Sequence, residues 1–167
     1  MALLEIVKNP AEILKKKAAE VTQFDNNLAQ LLDDMYETMV ENDGVGIAAP
    51  QVNKSIQVAV VELGEERDVL ELINPVIVAR SEDTETDIEG CLSFPDVYGD
   101  VERPVYVKVE AQDRNGDLYE LEAHDYDARV IQHEVDHLNG ILFDQKITKT
   151  YTLEEIEEMY ADEEEEE

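Results

Sequence analysis

Nine consecutive residues, Gln132-His133-Glu134-Val135-Asp136-His137-Leu138-Asn139-Gly140, constrain this chain more than any other stretch. Histidines four apart lie one turn above each other on an α-helix and can grip a single metal ion from one face. Glu134 follows the first of them, and at about 100° per residue it points to the edge of that face, where a carboxylate can take a proton from water without itself being a ligand. Ala128, Ile131, Val135 and Leu138 form a second, apolar stripe that anchors such a helix in a core. Asp125 is placed to cap its start and Gly140 to end it. The histidines share their arc with apolar Val130, clear of a polar side made by Arg129, Gln132, Asp136 and Asn139. They also account for two of the three histidines in the chain.

A length of 167 residues with 43% hydrophobic content suits one domain with a sizeable core, expected over residues 1–160. Asp plus Glu outnumber Lys plus Arg by 42 to 13, a formal charge of −29 that repels phosphate backbones and anionic lipid. Direct binding to nucleic acid or to a membrane surface is therefore not expected. The N-terminal residues meet charge at Glu5, too early for a signal peptide, and no later apolar run is long enough for a span. A cytoplasmic protein is expected. The last residues, 161–167, are almost purely acidic and read as a solvated, disordered tail. One cysteine, Cys91, leaves no internal disulfide and one thiol to explain.

Taken in order, Asn9-Pro10 predicts a helix start running through Leu14 and Ala18. Phe24 and Asp25 predict a staple and cap for a stronger helix, with Leu28, Leu31, Leu32, Met35 and Met39 at helical spacing up to about Asn42. The small-residue stretch Asp43 to Gln51 allows close backbone approach and ends on an amide donor. Ile56 to Leu63 predicts a strand, residues 64–67 a turn, and Val69 to Ile73 its hairpin partner, resuming at Val76 after Pro75. Ser81 to Asp87 is polar and predicts an exposed loop. Ile88 to Ser93 follows, with Phe94-Pro95 ending that extended run. Val105, Val107 and Val109 alternate with polar neighbours, and Asn115-Gly116 predicts a hairpin into Leu118 to Leu121. Ile141 to Phe143 reads as buried, and Leu153, Ile156 and Tyr160 as a short amphipathic helix.

A catalytic divalent metal takes three protein ligands and keeps a position open. His133 and His137 supply two. For the third, Cys91 offers a strong thiolate donor, while Glu154, Glu155, Glu157 and Glu158 stand downstream, as the glutamate of His2Glu proteases does.

Three stretches in this order, Gly44-Val45-Gly46-Ile47-Ala48-Ala49-Pro50-Gln51, Glu89-Gly90-Cys91-Leu92-Ser93 and Gln132-His133-Glu134-Val135-Asp136-His137-Leu138, resemble the signature motifs of the peptide deformylase family. The resemblance extends from the Asn9-Pro10 region into the C-terminal helix. It implies an α+β fold of antiparallel sheets surrounding a central metal-binding helix. It also implies a hydrolase of protein biosynthesis that removes the N-formyl group from the N-terminal methionine of new polypeptides, releasing formate. Carried onto this sequence, it implies Cys91, His133 and His137 as ligands of one ferrous ion, with zinc, nickel or cobalt able to substitute. Glu134 becomes general base and then acid, and the Gln51 amide and Leu92 backbone N–H become donors to the developing oxyanion. Val45, Leu92 and Val130 are candidates for the methionine pocket, and Val45-Gly46-Ile47 for pairing with the peptide backbone. Glu89 is a candidate to orient a liganding histidine, and Arg103 with Asp136 a candidate ion pair bracing the helix. Some members of that family carry a basic C-terminal helix thought to meet the ribosome, whereas Leu153 onward is acidic here, which argues against stable docking.

Two other readings compete. A small zinc endopeptidase would take its third ligand from the downstream glutamates. A closed structural metal site or a peptide-binding protein would leave Glu134 and Gln51 without a task. Cys91→Ala separates the first of these from the deformylase reading: loss of both metal and activity, read by metal analysis and formate release, supports the cysteine ligand, and retention of both supports the peptidase.

Overall fold

The run Val58-Ala59-Val60-Val61 is buried on both of its sides, and the two faces it separates organise the molecule. The structure, a computed structural model, describes residues 3–64, 66 and 68–166. Val58 and Val60 face a first helix, α1 (Asn26–Glu41), through Leu28, Leu32, Met35 and Met39. Ala59 and Val61 face a second helix, α2 (Asp125–Leu138), through Ala128, Ile131, Val135 and Leu138. A strand covered on both faces reads as an unbroken apolar run, which is why its sequence does not alternate.

That strand, β2 (Val58–Leu63), lies in a five-stranded antiparallel sheet with β1 (Gly46–Ala48), β3 (Asp68–Arg80), β6 (Tyr106–Gln112) and β7 (Leu118–His124), in the order β1-β2-β3-β6-β7. A second sheet holds β4 (Thr84–Cys91), β5 (Phe94–Pro104) and β8 (Ile147–Tyr151), in the order β4-β5-β8. Leu14, Phe94, Val101, Leu142 and Phe143 form the core of that second sheet. A third helix, α3 (Leu153–Glu166), closes the described chain and buries Ile156. The expected arrangement of antiparallel sheets about a central helix is what the structure contains. Among the described residues no helix is long and apolar enough to cross a membrane.

Several elements follow the sequence closely. The Asp25 side chain accepts the Leu28 N–H at 3.1 Å and caps α1. At the end of α2, Gly140 adopts φ +74° and donates to the His137 carbonyl, while the Ile141 N–H reaches back to Asp136. Strand β3 continues through Pro75 because Asn74, at φ +52°, absorbs a register shift and uses its side chain to bridge Val21 and Gln112.

Other expectations are corrected. The Asn9-Pro10 peptide is cis, and only a 3-10 turn, Glu12–Lys15, follows it. Ala18 lies outside any helix because its N–H is taken by the Leu138 carbonyl and its neighbour Ala19 bridges to Ile56. Asp125 does not cap α2. The N-cap is His124, whose side chain makes no capping bond, and the Asp125 N–H is committed to the Val105 carbonyl instead. The loop expected up to Asp87 becomes strand at Thr84, because Thr84, Glu85 and Thr86 pair with Pro104, Arg103 and Glu102. Phe94-Pro95 begins a long strand where an end was expected, and β8 was not anticipated at all. In α3, Leu153 and Tyr160 are exposed and Ile156 alone of the expected stripe is buried. The helix continues to Glu166 over residues expected to be disordered, while Glu65 and Arg67 of the expected turn, and Glu167 of the tail, lie outside the described residues.

An ideal Cβ on Gly140 would stand 2.6 Å from the Lys15 carbonyl oxygen, at a backbone angle L-residues rarely adopt. Gly140→Ala is therefore expected to destabilise the protein by at least about 1 kcal/mol, read as a lower urea midpoint.

Candidate metal centre

Cys91, the last residue of β4, stands over the histidine face of α2. Its Sγ lies 3.2 Å from His137 Nε2, and one donor atom each from Cys91, His133 and His137 fall within 4.8 Å of one another. The two imidazoles meet edge to face with centroids 5.1 Å apart. His137 is 1% exposed and its Nδ1 has no hydrogen-bond partner, whereas His133 Nδ1 stands 2.9 Å from Glu89 Oε1. One thiol and two imidazoles are a donor set that suits zinc or ferrous iron. Among the described residues this is the group of side chains able to hold an ion. Glu154, Glu155, Glu157 and Glu158 are all exposed on α3, and none of them belongs to the group.

Glu134 is 2% exposed. Burial pushes its carboxyl up to about 7, with Glu89 and Asp136 adding to the rise against the pull of His133 and Arg103. Gly46 makes room for it, since a Cβ there would sit 2.7 Å from Glu134 Oε2. Gln51 is 1% exposed, and its Oε1 accepts the Ala48 N–H at 2.9 Å, which leaves the amide NH2 directed at Ser93 Oγ (3.2 Å) and Cys91 Sγ (3.6 Å). Glu134, Gln51, Cys91 and His133, with Val45, Gly46, Leu92 and Val130, line a half-open cleft of about 620 Å³. The Ile47 side chain is fully buried against α1, which leaves its backbone as the part able to face the cleft side. Strand β1, which carries Gly46 and Ile47, is an edge strand paired on one side with β2.

Beneath the cluster runs a buried ion network. Arg103 donates to Glu89 through Nε (2.5 Å) and Nη2 (2.9 Å) and to Asp136 through Nη1 (2.8 Å). Arg129, expected on a polar face, is instead buried and donates to Glu89 at 2.6 Å. Its spacing held the clue, because Arg129, His133 and His137 stand four apart and share one face. Gln132, placed on the same polar side, is also buried. Burial works to raise the Glu89 carboxyl, but hydrogen bonds from His133 and Arg103 outweigh it and hold it down at about 2. Ile88, Tyr98 and Tyr126 also line the cleft and carried no signal in the sequence, since apolar and aromatic residues read first as core.

A half-buried thiol, two imidazoles and a buried glutamate at one end of a helix, beside an edge strand, define an α+β protein with a candidate mononuclear metal centre of hydrolytic type. Residues 3–152 match the model of the polypeptide deformylase family, and the chain belongs to that family. It is 53% identical over 159 residues to peptide deformylase 1 of Bacillus subtilis, covering 95% of this chain and 99% of the relative. The peptide deformylase of Thermotoga maritima superposes with a TM-score of 0.86 at 41% identity, covering 89% of this chain and 99% of that one. A class I type b peptide deformylase of Acinetobacter baumannii with Met-Ala-Ser bound superposes at 0.83, also at 41% identity, covering 87% and 99%.

The cluster attracts positive charge. Burial works to strip the His133 proton, but hydrogen bonds to Cys91 and Glu89 and the charge of Glu134 hold its pKa up at about 10, while burial keeps His137 neutral. A divalent cation must displace the His133 proton to bind, so cobalt affinity is expected to rise with pH, with protons released on binding. Calorimetry in buffers of different ionisation enthalpy measures this, and an affinity independent of pH would contradict it.

Proposed function

We propose that this protein is a metal-dependent peptide deformylase, which hydrolyses the N-formyl group from the N-terminal methionine of newly made polypeptides and releases formate. The observation that carries this reading is the convergence of Cys91, His133 and His137 beside the buried Glu134, at a cleft that Cys91, His133 and Glu134 line. Membership of a family whose relatives are named peptide deformylases supports it, and the peptidase reading is not favoured. Cys91, His133 and His137 would hold the ion, which we take to be ferrous iron, with zinc, nickel or cobalt able to replace it. Bound there, the ion would supply Lewis acidity to a carbonyl oxygen and to water.

The chain's own residues do the rest. Glu134 takes the proton of the attacking water and returns it to the leaving amine, so one carboxyl serves as base and then acid. The Gln51 amide, its orientation fixed by the bond from Ala48 N–H to Oε1, and the Leu92 backbone N–H donate to the oxyanion. Val45, Leu92 and Val130 receive the methionine side chain, and the free edge of β1 at Gly46 and Ile47 pairs with the substrate backbone. Glu89 accepts the His133 Nδ1–H and so fixes the tautomer that leaves Nε2 for the ion, while Arg103 and Asp136 tie α2 to β5. We take the enzyme to act in the cytoplasm, where a substrate of this kind is made. The acidic α3 and the charge of −29 argue against stable ribosome docking and against direct nucleic-acid binding.

Anaerobically purified protein is expected to release formate from a formyl-methionyl peptide and not acetate from the acetylated one. Glu134→Gln should lower kcat/KM by roughly 10²–10⁴-fold with the metal retained. Because the base must be ionised, activity should rise with pH through an acidic limb near or below pH 7, the bound ion's charge moving the limb down. Absence of formate release from metal-loaded protein would defeat the reading.

A further inference from the structure

Arg129 is a buried charge that the mechanism leaves without a task. It lies one helical turn before His133 and is 7% exposed. Its Nη1 donates to Glu89 Oε2 at 2.6 Å and to the Val101 carbonyl at 2.8 Å, and its Nη2 to the Glu85 carbonyl at 2.8 Å. We propose that Arg129 is a positioning residue for the metal centre, holding the Glu89 carboxylate at the angle that presents Oε1 to His133. The inference rests on the reading of His133 as a ligand.

A carboxylate offers about four acceptor positions, and in Glu89 four N–H groups fill them. Oε2 takes Arg103 Nε and Arg129 Nη1, and Oε1 takes Arg103 Nη2 and His133 Nδ1. Arg103 alone grips both oxygens through one fork, about which the carboxylate can rock. Arg129 adds a second point of attachment, itself fixed to backbone carbonyls of β4 and β5. Arg129 and His133 leave the same face of α2, so Glu89 spans two donors whose spacing the helix sets. Without the guanidinium, Oε2 loses one donor, the Val101 and Glu85 carbonyls each lose one, and the partner that orients His133 is held by fewer bonds. A ligating histidine whose outer hydrogen bond is disturbed binds metal less well.

The test uses the cobalt-loaded protein and the variants R129M and R129K, both of which keep an unbranched stem along the cleft wall. In R129M, cobalt loss to a competing chelator should quicken by roughly 10–100-fold. The visible cobalt spectrum should shift, and the rise in Tm produced by cobalt should shrink. R129K should fall between, because one ammonium can still meet Glu89 but cannot fork to both carbonyls as well. Equal loss of Tm with and without cobalt, alongside wild-type exchange rate and spectrum, would make Arg129 a purely structural residue and overturn the proposal. Should R129M not fold, R129K decides: a wild-type exchange rate and spectrum in it overturns the proposal, and faster exchange with a shifted spectrum supports it. A wild-type protein that neither holds cobalt nor releases formate is a different outcome, and defeats the reading of the site itself.

Discussion

The Glu89 carboxylate is the point on which the site depends. An ion taken from water into a protein interior costs several kcal/mol unless its acceptor positions are filled, and here two arginines and a histidine fill them. The donors arrive from two elements, Arg103 from β5 and Arg129 with His133 from α2, while Glu89 itself stands on β4. The anion therefore welds the second sheet to the helix that the first sheet carries. Asp136 extends the weld by pairing with Arg103 and with Lys146. Removing one partner of such a buried pair costs about 3–5 kcal/mol, so stability and the orientation of the His133 ring are properties of the same set of bonds.

The composition gains meaning from this arrangement. A chain with 42 acidic and 13 basic residues places two of its arginines inside, against acids, while its surface stays strongly negative. Arginine suits the task because its planar fork meets a carboxylate through two parallel bonds and remains charged when buried. The Arg114 pair with Glu71 and Asp33 uses the same fork at a half-exposed position, tying the β6–β7 hairpin to β3 and α1.

Much of the architecture was legible where a periodic apolar pattern coincided with burial. The α1 stripe, the doubly covered β2, the alternating β6 and the core stripe of α2 all follow from spacing. The elements that escaped are those stabilised by partners distant in sequence. Strand β4 starts among Thr84, Glu85 and Thr86, whose exposed side chains carry no strand signal, and β5 and β8 complete its sheet through backbone pairing. In the site, the paired histidines and the single cysteine marked themselves by spacing and rarity. Arg129 did not, because a helical arginine beside Gln132 reads as solvated until the strand that receives it is in place.

The site is also distributed along the chain in a way that bears on how it comes into being. Gln51 meets Cys91 across 40 residues, Cys91 meets His137 across 46, and Ser93 holds the Val7 carbonyl across 86. Contacts of such span are slow to form, since the loops they close cost entropy first. During synthesis, no emerging segment shorter than the end of α2 holds a complete donor set. Helix α1 and the first hairpin can assemble early, but the cysteine then waits, reduced and without its imidazole partners, until residue 137 has been made. A thiol left open through that interval is the part of this molecule most in need of a reducing compartment.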